Sequence, residues 1–323
     1  MASGSIAVGA VAQSKASTSG AVSQATAKSA TWNSSGVRGL SIPDYSFSYW
    51  RLMIPSLRGR APDPHRVAPF FGDAPLIIGH RGAAGVAPEN TAAAFEVAAS
   101  LGVPFELDIA LCASGELVVI HDDTVDRTTD GSGLVSGMTL GALKALDAGS
   151  HFGPEFAGER ILTLDEVFGR FGGRVPIDVE VKAPAGADVA GLVAGLTEAV
   201  ARHDLWQDIF VTTFNPYLLE QLRLRAPRIL RGQLYGTFED SDLPTWQRFA
   251  LRHRLLNRRA QPDMVAIDHT LASPRYVRWL QGRGYRVLVW TVNEPADLRR
   301  VLDAGADGII TDDPAAMRAR VAG

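Results

Sequence analysis

The chain has 323 residues, 46% hydrophobic and 21% charged, a composition of ordinary globular proteins that excludes collagen-like, disulfide-stapled and wholly disordered classes. Its net charge of −3 is uneven: residues 1–70 carry seven Lys or Arg against Asp44 and Asp63, a balance of +5, which leaves −8 on the other 253 residues. That acidic main body argues against nucleic acid as its partner, because a phosphate backbone is normally met by a basic face.

Residues 1–43 are dominated by Ser, Ala, Gly, Thr and Val, with Lys15, Lys28 and Arg38 and no acidic side chain. They cannot bury enough apolar surface to fold alone, so a disordered low-complexity tail is expected. An acid-poor, Ser-rich start is also the composition of a transit peptide, whereas Ile6 to Ala12 has no charge ahead of it and makes a poor signal core. Residues 44–74 read as a linker or interfacial segment. Tyr45, Phe47, Tyr49, Trp50, Leu52, Met53 and Ile54 stand beside Arg51, Arg58 and Arg60, the aromatic and cationic pairing of membrane interfaces, and Pro55 limits any helix there. Peripheral membrane contact through residues 45–60 and packing of the segment on the main domain are both open. No stretch reaches the roughly 18 apolar residues of a transmembrane helix, so a cytoplasmic protein, membrane-peripheral at most, is expected. The single cysteine, Cys112, admits no intramolecular disulfide and reads as structural.

From residue 75 to 323, short β-branched runs alternate with longer Ala- and Leu-rich stretches, the pattern of βα units around a parallel sheet. Strands are predicted at Leu76 to Gly79, Phe105 to Ala110, Leu117 to Ile120, Ile177 to Val181, Ile209 to Thr213, Leu230 to Leu234, Met264 to Ile267, Val287 to Trp290 and Gly308 to Thr311. Helices are predicted at Asn90 to Ser100, Ala187 to Arg202, Pro216 to Arg225, Pro244 to Arg259, Pro274 to Arg283 and Pro295 to Ala304. The fold class is therefore α/β, a (β/α)8 TIM barrel, with one strand more than the barrel needs. The second and third strands explain the surplus: only about six residues separate them, while a parallel crossover needs a dozen or more. They must form a hairpin. With its turn near Ser114 and Gly115, His121 lands beside Leu107 and Asp108.

Chemistry-bearing residues follow in chain order. The first strand ends in Gly79-His80-Arg81-Gly82, whose glycines permit a sharp turn and close approach to a ligand. Taken singly, His80 reads as a structural histidine. Glu106 and Asp108 lie two apart and share one face, and on alternation alone that face is as easily the outer one, with Phe105, Leu107 and Ile109 inside. The fourth strand places Asp178, Glu180 and Lys182 on one face, and both faces of a barrel strand are covered, so alternating charges there imply a polar site. Active sites lie at the C-terminal ends of barrel strands, which favours Glu180 and Lys182 over Asp178. Glu106, Asp108 and Glu180 together offer oxygen ligands for one hard cation, Mg2+ or Ca2+. Arg81 and Lys182 add positive charge for an anionic substrate, and phosphate suits the combination. Trp290, at the end of its strand, either walls the site or fills the barrel mouth.

These residues sit within motifs that resemble the glycerophosphodiester phosphodiesterase family: His80-Arg81-Gly82, Ala87-Pro88-Glu89-Asn90-Thr91, Glu106-Leu107-Asp108, His121-Asp122, Arg127-Thr128-Thr129 and Leu146-Asp147-Ala148-Gly149. Glu180-Val181-Lys182, Val289-Trp290-Thr291-Val292-Asn293 and Asp307-Gly308-Ile309-Ile310-Thr311-Asp312 extend the similarity to residues 75–318. The resemblance implies a phospholipase C-like barrel with a small insertion after the third strand, at Asp122 to Arg160, and hydrolysis of a glycerophosphodiester to sn-glycerol 3-phosphate and an alcohol. It further implies His80 and His121 as the acid/base pair, Glu106, Asp108 and Glu180 as metal ligands, and Arg81 and Lys182 as phosphate binders, with the glycerol 2-hydroxyl attacking first. Two alternatives stand beside it. One is lysophospholipase D-like activity at a membrane, suggested by residues 45–54 and by a basic helix with Trp246, Phe249, Arg252, Arg254, Arg258 and Arg259. The other is a non-catalytic barrel that binds a head group.

Overall fold

The structure, a computed structural model, describes residues 61–72, 74–183, 186–237 and 256–322. The predicted segments 1–60 and 244–255 therefore lie outside the described residues, and with them the proposed membrane contact and most of the basic helix.

Among the described residues nine strands form: β1 Leu76–Gly79, β2 Phe105–Leu111, β3 Leu117–Val119, β4 Ile177–Val181, β5 Ile209–Thr213, β6 Leu230–Tyr235, β7 Met264–Asp268, β8 Arg286–Trp290 and β9 Gly308–Thr311. Eight are parallel neighbours in the order β1-β9-β8-β7-β6-β5-β4-β2, and the pairing of Gly79 with Phe105 closes the ring into a TIM barrel. The ninth, β3, runs antiparallel to β2 with Ile109 opposite Val119 and Leu111 opposite Leu117. The short loop thus forces a hairpin, as its length requires.

The two-residue period divides the core into two layers. Odd-numbered residues such as Leu107, Ile109, Val179, Val211, Val265, Val289 and Ile309 are buried outward against the helices. Even-numbered residues Ile78, Phe210, Leu230, Leu234, Met264, Ala266, Leu288 and Ile310 cluster inside the barrel with Val67, Phe70 and Phe71. Those last three come from the short helix Pro64–Val67 and the turn after it, and the Phe70 ring meets Phe210 edge-on at 5.4 Å. Arg66 fixes this segment by donating to Asp263 at 2.7 Å and to the Pro227 carbonyl at 2.8 Å.

Helix starts follow local chemistry. Pro216, Pro274 and Pro295 each open a helix in its first turn, where a missing N–H costs nothing. Asn215, Ser273 and Thr91 cap helices with their side-chain oxygens. The helix Leu164–Phe171, not anticipated from periodicity, carries the signal in its cap: Thr163 and Glu166 form a reciprocal capping box. Among the described residues no helix is long and apolar enough to cross a membrane.

Candidate active site

The first βα loop is shaped by its glycines. A Cβ on Gly79 would lie 1.8 Å from the Gly82 carbonyl oxygen, and Gly82 itself has φ +91 with a Cβ position 2.6 Å from Ala94 backbone. Arg81 and Asn90 both hold left-handed backbone, φ 49 and φ 58, without being glycine. Such conformations persist only where surrounding contacts enforce them, and they cluster at functional sites. Here the Arg81 N–H donates to Glu106 Oε2 at 2.8 Å, and the Asn90 N–H donates to the Arg81 carbonyl at 3.0 Å. Asn90 then clasps Asp108, its Nδ2 donating to Oδ2 at 2.9 Å while its Oδ1 accepts the Asp108 N–H at 3.2 Å.

Glu106 and Asp108 point into the barrel, which resolves the ambiguity of alternation: Phe105, Leu107 and Ile109 pack outward. The register sets Asp108 beside Glu180 and Glu106 beside Asp178. Carboxylate oxygens of Glu106, Asp108 and Glu180 all lie within 4.8 Å of one another. Asp178, fully buried below, accepts a bond from Thr212 Oγ1 at 2.8 Å. Lys182 Nζ sits above, 2.5 Å from Glu180 Oε1 and 2.9 Å from Asp108 Oδ1. Arg81 Nε approaches Asp108 Oδ2 at 3.4 Å.

The electrostatics of this cluster are lopsided. Burial, with Asp108, Glu180 and Asp178 nearby, pushes the Glu106 carboxyl well above its ordinary range. Burial opposes ionisation of Asp108 too, yet Lys182, His121 and Arg81 together hold it at about 2. Burial likewise raises Asp178, which no cation compensates. Glu106 Oε1 is buried with no hydrogen-bond partner among the described residues. An orphaned carboxylate oxygen facing two other carboxylates is what a hard divalent cation would satisfy, so the residues present fit one.

The two histidines stand at the ends of β1 and the β2–β3 hairpin. His80 Nδ1 lies 2.6 Å from Asp312 Oδ1, and Asn293 Nδ2 donates to the other Asp312 oxygen at 2.5 Å. His121 Nδ1 lies 2.6 Å from Asp122 Oδ1. Hydrogen bonds hold both aspartates below the ordinary carboxylate range, from Arg127 first and then His121 on Asp122, and from His80 against partial burial on Asp312, so each accepts and each Nδ1 donates. Both rings therefore leave Nε2 for chemistry. Burial and the positive Lys182 lower the His121 imidazole.

Trp290 ends β8 half-buried, edge-on to Phe214 at 5.7 Å, and its Nε1 has no hydrogen-bond partner among the described residues. Asp312, Asp122, Glu89 and Asn90 belong to motifs quoted above, but sequence reasoning gave them no role. A clue existed: each lies at or just past the C-terminal end of a strand, or in the loop that follows.

A family model described as "Glycerophosphoryl diester phosphodiesterase family" matches residues 80–316. A protein named glycerophosphodiester phosphodiesterase, from Caldanaerobacter subterraneus subsp. tengcongensis, is 40% identical over 243 residues, covering 74% of this chain and 94% of its own. A Bacillus subtilis protein of the same name is 31% identical over 259 residues, covering 74% of this chain and 84% of its own. Among solved structures, an Oleispira antarctica phosphodiesterase in complex with the product sn-glycerol-3-phosphate superposes with a TM-score of 0.68. It is 29% identical and covers 77% of this chain and 98% of its own. A glycerophosphodiester phosphodiesterase from Agrobacterium tumefaciens gives a TM-score of 0.62 at 28% identity, covering 76% and 99% respectively.

Proposed function

Because the chain belongs to the glycerophosphoryl diester phosphodiesterase family and is a phosphodiesterase of glycerophosphodiesters, we propose that it forms sn-glycerol 3-phosphate and an alcohol, using His80 and His121 as acid and base and one divalent cation, Mg2+ or Ca2+, held by Glu106, Asp108 and Glu180. One observation carries this reading: two imidazoles, each with Nδ1 committed to its own aspartate, flank a trio of carboxylates, two buried and one half-buried. The product held by the Oleispira structure supports the same substrate class.

In the first step one histidine Nε2 takes the proton of the glycerol 2-hydroxyl as that oxygen bonds to phosphorus. The other Nε2 gives its proton to the departing alcohol oxygen as its bond to phosphorus breaks. Water then opens the resulting cyclic phosphate with the two roles exchanged. Arg81 and Lys182 hold the non-bridging oxygens, Arg81 by its fork and Lys182 as a point charge. A bound divalent cation supplies further neutralisation of charge on the phosphoryl oxygens. The Phe214 and Trp290 rings form an apolar wall against which the alcohol moiety rests.

The test is release of glycerol 3-phosphate from glycerophosphocholine and glycerophosphoethanolamine, and of lysophosphatidic acid from lysophosphatidylcholine, in EDTA and after return of Mg2+ or Ca2+. Turnover of the first two only with metal is expected. Full turnover in chelator would remove the cation from the reading.

A further inference from the structure

We infer that Arg127, carried by the loop inserted between β3 and β4, is a positioning residue for both halves of the site, steering Arg81 through Glu89 and His121 through Asp122. The inference deepens the reading above and rests on it for what Arg81 and His121 do. Arg127 Nη1 and Nη2 donate to Glu89 Oε2 and Oε1 at 2.6 and 2.8 Å, while Nε and Nη2 donate to Asp122 Oδ2 and Oδ1 at 2.7 and 3.0 Å. Two edges of one planar guanidinium thus grip two carboxylates. Glu89 Oε1 also accepts from Arg81 Nη1 at 2.7 Å, and Asp122 Oδ1 faces His121 Nδ1 at 2.6 Å. An unbroken line of alternating charge therefore runs His121, Asp122, Arg127, Glu89, Arg81 from imidazole to phosphate-binding guanidinium.

An isolated exposed ion pair contributes little, and the Arg127 side chain is 48% exposed. Two features set this one apart. The contact is bidentate on both sides, which fixes orientation as well as charge. The loop that presents Arg127 is also pinned: Val125 N–H donates to the Gly133 carbonyl at 3.0 Å and Val135 N–H to the Asp123 carbonyl at 2.9 Å. Thr129 Oγ1 donates to the Val125 carbonyl at 2.7 Å, and Val125, Thr128 and Thr129 are buried. The inserted loop is thus a platform for one side chain that reaches back to two catalytic elements.

Without Arg127, Asp122 keeps only the imidazole and can swing with it, which misaligns Nε2. Glu89 keeps only Arg81 and draws the guanidinium away from substrate. The first effect falls on kcat, the second on KM. Lysine offers one point charge and cannot span both carboxylates.

The experiment measures kcat, KM and Tm for the full chain and its Arg127→Met and Arg127→Lys variants on glycerophosphocholine with Mg2+ or Ca2+. Arg127→Met is expected to lower kcat at least about 10-fold and to raise KM, as loss of an orienting partner does, with Arg127→Lys recovering only part. Asp122→Asn should reproduce the kcat loss and Glu89→Gln the KM rise. Adding Arg127→Met to either should then cost less than it does in the parent chain. An Arg127→Met enzyme with both constants within about two-fold of the parent, at a measurement precision that resolves a ten-fold effect, overturns the inference. If the parent chain hydrolyses no glycerophosphodiester, it is the proposed function that fails, and nitrogen-15 NMR of the histidine rings decides the positioning role instead. Greater mobility of the His121 ring in Arg127→Met, read from relaxation of its ring nitrogens, with His80 unmoved, supports it, and unchanged His121 relaxation overturns it.

Discussion

His80 Nδ1 stands 2.6 Å from Asp312 Oδ1, a contact that spans 232 residues of sequence. The sheet register makes it: Gly79 pairs with Thr311 across β1 and β9, so the next residue of each strand emerges side by side at the barrel mouth. Asn293 completes the arrangement, since its Oδ1 accepts the Asp312 N–H at 2.9 Å while its Nδ2 holds the far carboxylate oxygen. Asp312→Asn keeps the shape but replaces an obligate acceptor with an amide that can also donate, so the ring is no longer held with Nδ1 protonated. We expect kcat to fall about 10- to 100-fold with KM little changed. Steady-state kinetics across pH check this, because a purely structural role would lower Tm without altering the pH profile.

Removing either imidazole is a larger change. His80→Ala and His121→Ala should each lower kcat by at least about 100-fold, the usual contribution of one general acid or base, with far-ultraviolet circular dichroism unchanged. Both side chains lie at the mouth and are partly exposed, 20% and 33%, so truncation opens no core cavity. Near-normal turnover in either variant would strip that residue of its assigned role.

The cation prediction follows from mass action. A ligand that binds only the folded chain adds RT ln(1 + [L]/Kd), about 2.7 kcal/mol at a hundred times Kd, so Mg2+ or Ca2+ added to EDTA-treated protein should raise Tm. Glu180→Gln replaces one of the three carboxylates gathered within 4.8 Å by a neutral amide and should abolish most of that rise. An equal rise in the variant would place the ion elsewhere.

Most of the frame was legible in the sequence because strands announce themselves locally. All nine strands start and stop within a residue of their apolar, β-branched runs, and the β2–β3 hairpin followed from a loop too short to cross. The direction of Glu106 was not legible, since in a covered strand both alternating faces are equally plausible, and only the β4 register fixes it beside Asp178. The short helix Leu140–Ala145 has too few turns to show a period. Asp312 and Arg127 escaped for another reason: their partners are tertiary, and no spacing rule connects Arg127 to Glu89, 38 residues earlier.

Without a bound cation, the gathered carboxylates of the acidic trio weigh on the stability of the chain. Glu106 is raised well above its ordinary range by burial and by the carboxylates around it, so the folded state holds its proton to higher pH than the unfolded chain does. The sign follows from linkage: this group's contribution to stability is fully present below the unfolded value of about 4.3 and is lost as pH rises through the raised folded value. Asp178 behaves in the same way, whereas Asp108, held at about 2, loses its contribution only in strong acid. Glu106→Gln mimics the protonated form at every pH. In EDTA the variant should therefore match the parent near pH 4 and exceed it increasingly toward neutral pH, by about 2–4 °C in Tm for each kcal/mol relieved in a domain of this size. With Mg2+ or Ca2+ present the order should reverse, because the parent gains the ion and the variant lacks one of its carboxylate ligands. Thermal melts of both proteins at several pH values, with and without chelator, check the two halves, and a variant less stable than the parent in EDTA at pH 7.5 would show that Glu106 is not held under strain.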